Sequence, residues 1–379
     1  MKITFLCFDL SDNSLGRAAI LARALSKRYQ IELIGPAKTG QIWEPMRDYG
    51  LPIRVFPWKR FPAFATVIKE MIKVVDGDIV YACKPRLSSF GLGLLAAKGK
   101  PLLLDIDDWE LGFFYRAGFW GRVGRFLNLS NPSGLSFAWM MERRVADADA
   151  VTVSNRFLQK RFGGDLVYHC RDTKVLDPAK YDPAEVKNQL GLTDKKILMF
   201  LGTPRKHKGI DDLGEMMRLV KNPSVHLVIV GAEEGEAAKF SGTEWDRKVS
   251  LVPKISFARL GNYLACADAV IIPQRDTSDT EGQMPAKIFD AMAMARPIIS
   301  TRVSDIPEVL GGDGYLTEPG NTQQLAEAVD GIFDNEEEAS TRGLRLRERC
   351  QRLYDSRIME EKLIAVVKRA VVRYSDLKK

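Results

Sequence analysis

Apolar residues in this chain gather into short unbroken runs set apart by longer mixed stretches. In the first half the runs are Ile3–Phe8, Ile31–Ile34, Ile53–Phe56, Asp78–Ala82, Leu102–Ile106 and Ala150–Val153. Runs of this length, continuous and not alternating, predict strands buried on both faces. Several of the intervening stretches show helical spacing. The clearest is Arg17–Arg28, with Ala18, Leu21 and Leu25 on one face. Strands separated by helices predict a parallel sheet covered on both sides. The rhythm fails over Gly163–Leu190, which carries Pro178, Pro183 and the polar string Tyr168–Asp172 and reads as a linker. A second series follows: strands at Ile197–Leu201, His226–Val230, Ser250–Val252, Ala269–Ile272, Pro297–Thr301 and Gly314–Leu316, with helices including Asp211–Lys221, Phe257–Ala267 and Thr322–Phe333. A last amphipathic stretch, Ser356–Tyr374, has no strand left to serve and is expected to cross back onto the first domain. The expected domains are residues 1–185 and 186–355, with 356–379 as that returning helix. A length of 379 residues suits two cores better than one.

In open parallel sheets, ligands sit beyond the C-terminal strand ends. In the first half those ends carry Asp9–Arg17, Lys84–Arg86 and Asp105–Glu110. Gly16 enters a helix and would permit close approach to a ligand, or simply mark a turn. The segment DIDDWE packs four acids behind a buried strand. Asp107 or Asp108 could act as a hydrogen-bonding or basic group toward an acceptor, or the acids could form a solvated capping cluster. A D-x-D metal motif is the weakest reading, and no metal site is expected.

Composition narrows the partners. The chain carries 56 Lys+Arg against 49 Asp+Glu, and the excess lies wholly in the first half. That half could face an anionic surface or carry solubilising charge. Two stretches, Phe56–Phe64 and Phe113–Phe126, interleave aromatic and basic residues. They suit an anionic membrane surface or the packing of an acceptor pocket; nucleic acid is not the expected partner. Five scattered cysteines and three histidines, with no C-x-x-C, suit a reducing compartment and give no zinc site. No apolar run is long enough to span a bilayer. The expected location is cytoplasmic, with peripheral association at the inner membrane face as the alternative.

Two stretches of the second half carry the candidate chemistry. After the strand Ile197–Leu201 comes GTPRKHKG, Gly202–Gly209, which lacks the Walker spacing but sets Arg205, Lys206 and Lys208 beside a helix start. Cations there would neutralise a diphosphate gaining charge as a bond breaks, or form an ordinary solvated turn. The second stretch, EGQMPAKIFDAMAMARPIIS, begins at Glu281. It reads as a polar turn over Asp276–Met284, a short helix beginning near Pro285, and a return into a buried strand.

The order of these pieces resembles the C-terminal domain of retaining glycosyltransferases of the GT-B fold, glycosyltransferase family 4, the glycosyl transferases group 1. The residues that carry the resemblance are strand–GTPRKHKG–helix, Tyr263–Ala269, Pro285-x-Lys287-x-Phe289-Asp290-Ala-Met-Ala293 and Arg296-Pro297-Ile-Ile. It extends more loosely to Gly16, Glu142 and Ala146–Ser154. It implies an α/β protein of two Rossmann-like parallel-sheet domains facing a central cleft. It also implies sugar transfer, with retention and without a metal or other cofactor, from a nucleotide sugar to a carbohydrate or lipid-linked acceptor. In the family, two acids separated by seven residues bracket this turn and helix. Asp290 matches the ribose-binding position. Gly282 stands at the first position, and Glu281 lies one residue before it. Lys208-Gly209 matches the diphosphate-binding step, while Thr203 stands where the family has arginine, leaving Arg205 as its substitute. The implied catalytic set is Glu281, Arg205, Lys208 and Asp108. The implied donor-binding set is Gly16, Gly202, Lys254, Ile255, Gln283, Met284, Pro285 and Asp290. A non-catalytic nucleotide-sugar-binding subunit and a nucleotide-sugar epimerase of the same fold remain alternatives.

Overall fold

Each apolar run of the first half becomes a parallel strand in the computed structural model, which describes residues 1–47, 49–115, 118–232 and 248–376. By their contacts Met1–His169, Gly282–Met284 and residues from Arg357 onward form one unit, while Cys170–Glu281 and Pro285–Ser356 form another. The strands of the first unit are β1 (Lys2–Leu6), β2 (Gln30–Ala37), β3 (Ile53–Pro57), β4 (Ile79–Cys83), β5 (Leu102–Ile106), β6 (Ala150–Val153) and β7 (Asp165–Leu166). They lie in the order β3-β2-β1-β4-β5-β6-β7 and every pairing is parallel. All residues of β4 and β5 are buried, as unbroken apolar runs require. A core of Leu6, Val80, Leu104, Phe64 and Phe90 fills one face of the sheet. The C-terminal helix, Ser356–Asp376, buries Leu363, Val366 and Val367. From this unit Lys27 holds its Glu360 at 2.7 Å, and Asp165 holds its Arg369 at 2.7 Å.

The second unit repeats the plan with β8 (Lys196–Leu201), β9 (Val225–Val230), β10 (Val249–Val252), β11 (Ala269–Ile272), β12 (Ile298–Thr301) and β13 (Tyr315–Thr317). Their order is β10-β9-β8-β11-β12-β13, again all parallel. In both sheets the strand order reverses beside the first strand, between β1 and β4 and between β8 and β11. A crevice opens at such a switch point because the two flanking connections leave on opposite faces.

Three elements differ from expectation. β7 lies inside the segment read as linker; two residues are too few to show a pattern. The turn before Pro285 contains a short helix, Ser278–Glu281, ahead of the helix that begins at Lys287. A long helix, Glu336–Leu353, escaped notice because its buried residues, Ala339, Gly343, Leu346 and Cys350, are too few to form a broad apolar stripe.

Candidate active site

The switch point of the second unit gathers the basic loop. β8 ends at Leu201 and Gly202 follows with φ +116°, a conformation that glycine adopts without strain. Arg205 is exposed, His207 is buried, and Lys208 is partly buried with Nζ donating to the Thr203 carbonyl at 3.2 Å. The loop is tied to the strand across the switch. Arg275, just past β11, donates its backbone N–H to the His207 carbonyl at 2.9 Å, and its guanidinium grips both carboxylate oxygens of Asp212. The cations are therefore anchored on the sheet by backbone and ion pair together.

Lys287 opens the helix Lys287–Ala293, and its side chain reaches back to the end of β8. Its Nζ stands 5.9 Å from the centre of the Phe200 ring. A methyl group added at Gly202 would overlap Nζ, so the glycine leaves room for the amine. Burial pushes the Lys287 ammonium down to about 8. The charge of Arg205 adds to that effect, while Asp290 and contact with Lys208 oppose it. Gly202, Arg205, Lys208 and Asp290 are thus brought together around a lysine to which the sequence analysis assigned no role. The available signal was the Pro-x-Lys spacing ahead of Phe289.

Asp290 is buried on the same helix. Both its oxygens accept from Arg171, through Nε and through Nη2 at 2.9 Å. Arg171 Nη2 also donates to the Ala286 carbonyl at 3.2 Å, and Nη1 donates to the Cys170 carbonyl at 2.6 Å. Each carboxylate oxygen has a second lone-pair site, so Asp290 can accept from a ligand while the arginine fixes its plane. Arg171 was the second residue missed.

Glu281 is exposed at the end of its short helix, and its carbonyl accepts from Ser304 Oγ at 3.1 Å. Pro285 is partly buried at the start of its own segment. Lys254, exposed, and Ile255, partly buried, follow β10, two strands from β8. Gln283, partly buried, and Met284, buried, belong by their contacts to the first unit.

In the first unit, Gly16 lies within the helix Ser14–Leu25 and faces the Trp43 ring. The acids at the end of β5 do not form a solvated cap, since Asp105, Asp107 and Glu110 are buried. Asp105 is fully buried and receives Arg17 at 2.9 and 3.1 Å and Thr152 Oγ1 at 2.7 Å. Buried Lys84 reaches Asp107 at 2.7 Å, Asp108 at 2.6 Å and Glu110 at 3.0 Å. Lys84 does so from a backbone φ of +73°, a left-handed conformation costly for a side-chain-bearing residue. Burial pushes the Asp107 carboxyl up to about 7; Lys84 opposes that, while Asp108 and Asp105 add to it. Among the described residues, no group of three His, Cys, Asp or Glu is placed to hold a metal ion.

The basic loop, Lys287 and Asp290 all fall inside one recognisable region. Residues 195–335 match the family model described as Glycosyl transferases group 1. A Bacillus anthracis N-acetyl-alpha-D-glucosaminyl L-malate synthase is 27% identical over 48% of this chain and 47% of its own length. Spore coat protein SA of Bacillus subtilis is 24% identical over 59% of this chain and 63% of its own length. The chain thus matches about half the length of these relatives. Solved structures extend the likeness of the fold to almost the whole chain. Anabaena HepE in complex with UDP and glucose superposes with a TM-score of 0.75, at 15% identity, over 97% of this chain and 99% of that one. The fold is GT-B.

Proposed function

We propose that this protein is a retaining glycosyltransferase that moves a sugar from a nucleoside diphosphate donor to a carbohydrate or lipid-linked acceptor. The observation that carries the proposal is the cation cluster Arg205, Lys208 and Lys287 around Gly202, beside an Asp290 held flat by Arg171. The Bacillus anthracis relative and the UDP-bound Anabaena protein support the same reading. In the step proposed, the bond from the anomeric carbon to the diphosphate oxygen breaks, and its electron pair stays on the diphosphate. Arg205 and Lys208 neutralise that growing charge, and the effect is large because the cations are fixed before the reaction. The acceptor hydroxyl forms the new bond on the face being vacated and passes its proton to the departing phosphate. Asp290 accepts hydrogen bonds from the donor ribose. No metal is needed for this charge balance.

The test is a donor screen by mass spectrometry over UDP-, GDP- and ADP-sugars with mixed glycan and polyprenyl-linked acceptors. A transferred sugar with unchanged anomeric configuration supports the proposal. An isomerised sugar nucleotide without acceptor would identify an epimerase. Tight donor binding with no turnover would identify a binding subunit.

A lipid-borne acceptor is favoured by one observation. The helix Phe119–Leu127 buries none of its residues, and Phe119, Trp120 and Leu127 are 63%, 81% and 71% exposed. Arg122 and Arg125 lie on the same helix; residues 116 and 117, within the stretch Phe113–Phe126, are outside the described residues. Apolar rings with cationic neighbours suit an anionic bilayer surface. The protein is expected to float with anionic liposomes at low salt. Trp120→Ala with Phe119→Ala should leave it in the pellet fraction; wild-type protein that stays there removes the membrane from the reading.

A further inference from the structure

Lys287 sits in an environment that does not complete its charge. Its amine lies between the Phe200 ring and the backbone at Gly202. Among the described residues no carboxylate comes within ion-pair distance of it. The nearest acid to influence it is Asp290, whose two oxygens are already held by Arg171. The loop after β8 faces it with the charge of Arg205, which works against its own, and with Lys208 in side-chain contact. A partly buried amine beside a guanidinium, with no free carboxylate, holds its proton less tightly than a solvated lysine does. Such an arrangement marks a candidate site for an anion that would complete it.

We propose that Lys287 is a third phosphate-binding cation of this site, and that the bound nucleoside diphosphate holds it in its charged form. The inference rests on the donor-site reading above and adds to it a residue and a proton. Before the ligand arrives, the amine is largely neutral above pH 8 and the charge of Arg205 faces it. The diphosphate offsets that charge and offers an oxygen acceptor, so above pH 8 the amine gains a proton from solvent as the anion seats. The lysine would hold its charge through the reaction, because the departing diphosphate is more negative than the bound donor.

The experiment is calorimetric titration of the full chain with UDP, ADP and GDP at pH 8.5, in two buffers of different ionisation enthalpy. At that pH the terminal phosphate, with a second pKa of about 6, is already ionised and takes up no proton. Wild-type protein should bind one of the three with net proton uptake. Lys287→Met should bind roughly ten- to hundredfold more weakly and without uptake. Lys287→Arg should bind without uptake, because guanidinium is charged in both states. A thermal melt of each variant separates loss of the site from loss of the fold. Lys287→Met that melts like wild type and binds with unchanged affinity and proton uptake overturns the inference and leaves the donor site standing. Wild-type protein that binds none of the three nucleotides overturns both.

Discussion

The Arg171–Asp290 pair shows what one residue can and cannot reveal in a sequence. Asp290 was legible because it sits in a dense local pattern of helix, small residues and a following strand. Arg171 was not, since its partner is 119 residues away and its own segment has no periodicity. Its identity as a structural arginine depends on long-range folding alone. Both side chains are buried. Removing one member of a buried pair leaves the other uncompensated, at a cost of about 3–5 kcal/mol. Arg171→Ala is therefore expected to lower the urea midpoint sharply and to weaken nucleotide binding, because Asp290 loses the partner that sets its plane. Arg171→Lys should recover part of the stability but not the affinity, since an ammonium cannot bridge both oxygens in one plane. An Arg171→Ala variant as stable as wild type would show that the ion pair contributes nothing net.

Elements were read well where apolar residues cluster and poorly where backbone packs against backbone. Every strand run named from the sequence appears with its ends within three residues, and β4 and β5 are the clearest because strands buried on both faces must be apolar throughout. The helix Glu336–Leu353 packs through a narrow stripe and a glycine, so it carried no such signal. A side chain at Gly343 would overlap the Ala295 carbonyl; the helix approaches that turn through its missing side chain. Gly343→Ala is expected to destabilise by roughly 1–3 kcal/mol, as overpacking does. The helix Thr322–Asp334 supplies the control. Gly331 has nothing within 4 Å of its added methyl, so Gly331→Ala should stabilise by up to about 1 kcal/mol through helix propensity alone. Opposite shifts in urea midpoint check the pair. Equal shifts would show that helix propensity, and not the approach at Gly343, decides both.

On the scale of the molecule, the two units share a strand order and each places charged groups beyond its switch point. The sequence located both sets, since loops after buried strands are where polar residues must emerge. It could not show which charges are compensated, because that depends on which loops meet. The difference has a measurable consequence for the pH dependence of stability. Asp107 in the first unit has its carboxyl raised to about 7 by burial. Between about pH 4 and 7 the folded state then binds more protons than the unfolded state, so this group makes stability fall as pH rises. Lys287 in the second unit has its ammonium lowered to about 8. Between that pH and about 10.4 the unfolded state binds more protons, so this group makes stability rise with pH. Each slope is at most about 1.4 kcal/mol per pH unit. Asp107→Asn should therefore gain on wild type as pH climbs from 4 to 7 and hold that gain above it, with Lys84 still paired to Asp108 and Glu110. Lys287→Met should outlast wild type at pH 7 and lose that advantage toward pH 10. Urea unfolding of the three proteins at pH 5, 7, 8.5 and 10 resolves the two windows. An Asp107→Asn curve parallel to wild type from pH 5 to 7 would mean that Lys84 already holds that carboxylate ionised. That carboxylate would then be a weak base, poorly matched to taking a proton from an acceptor near neutral pH.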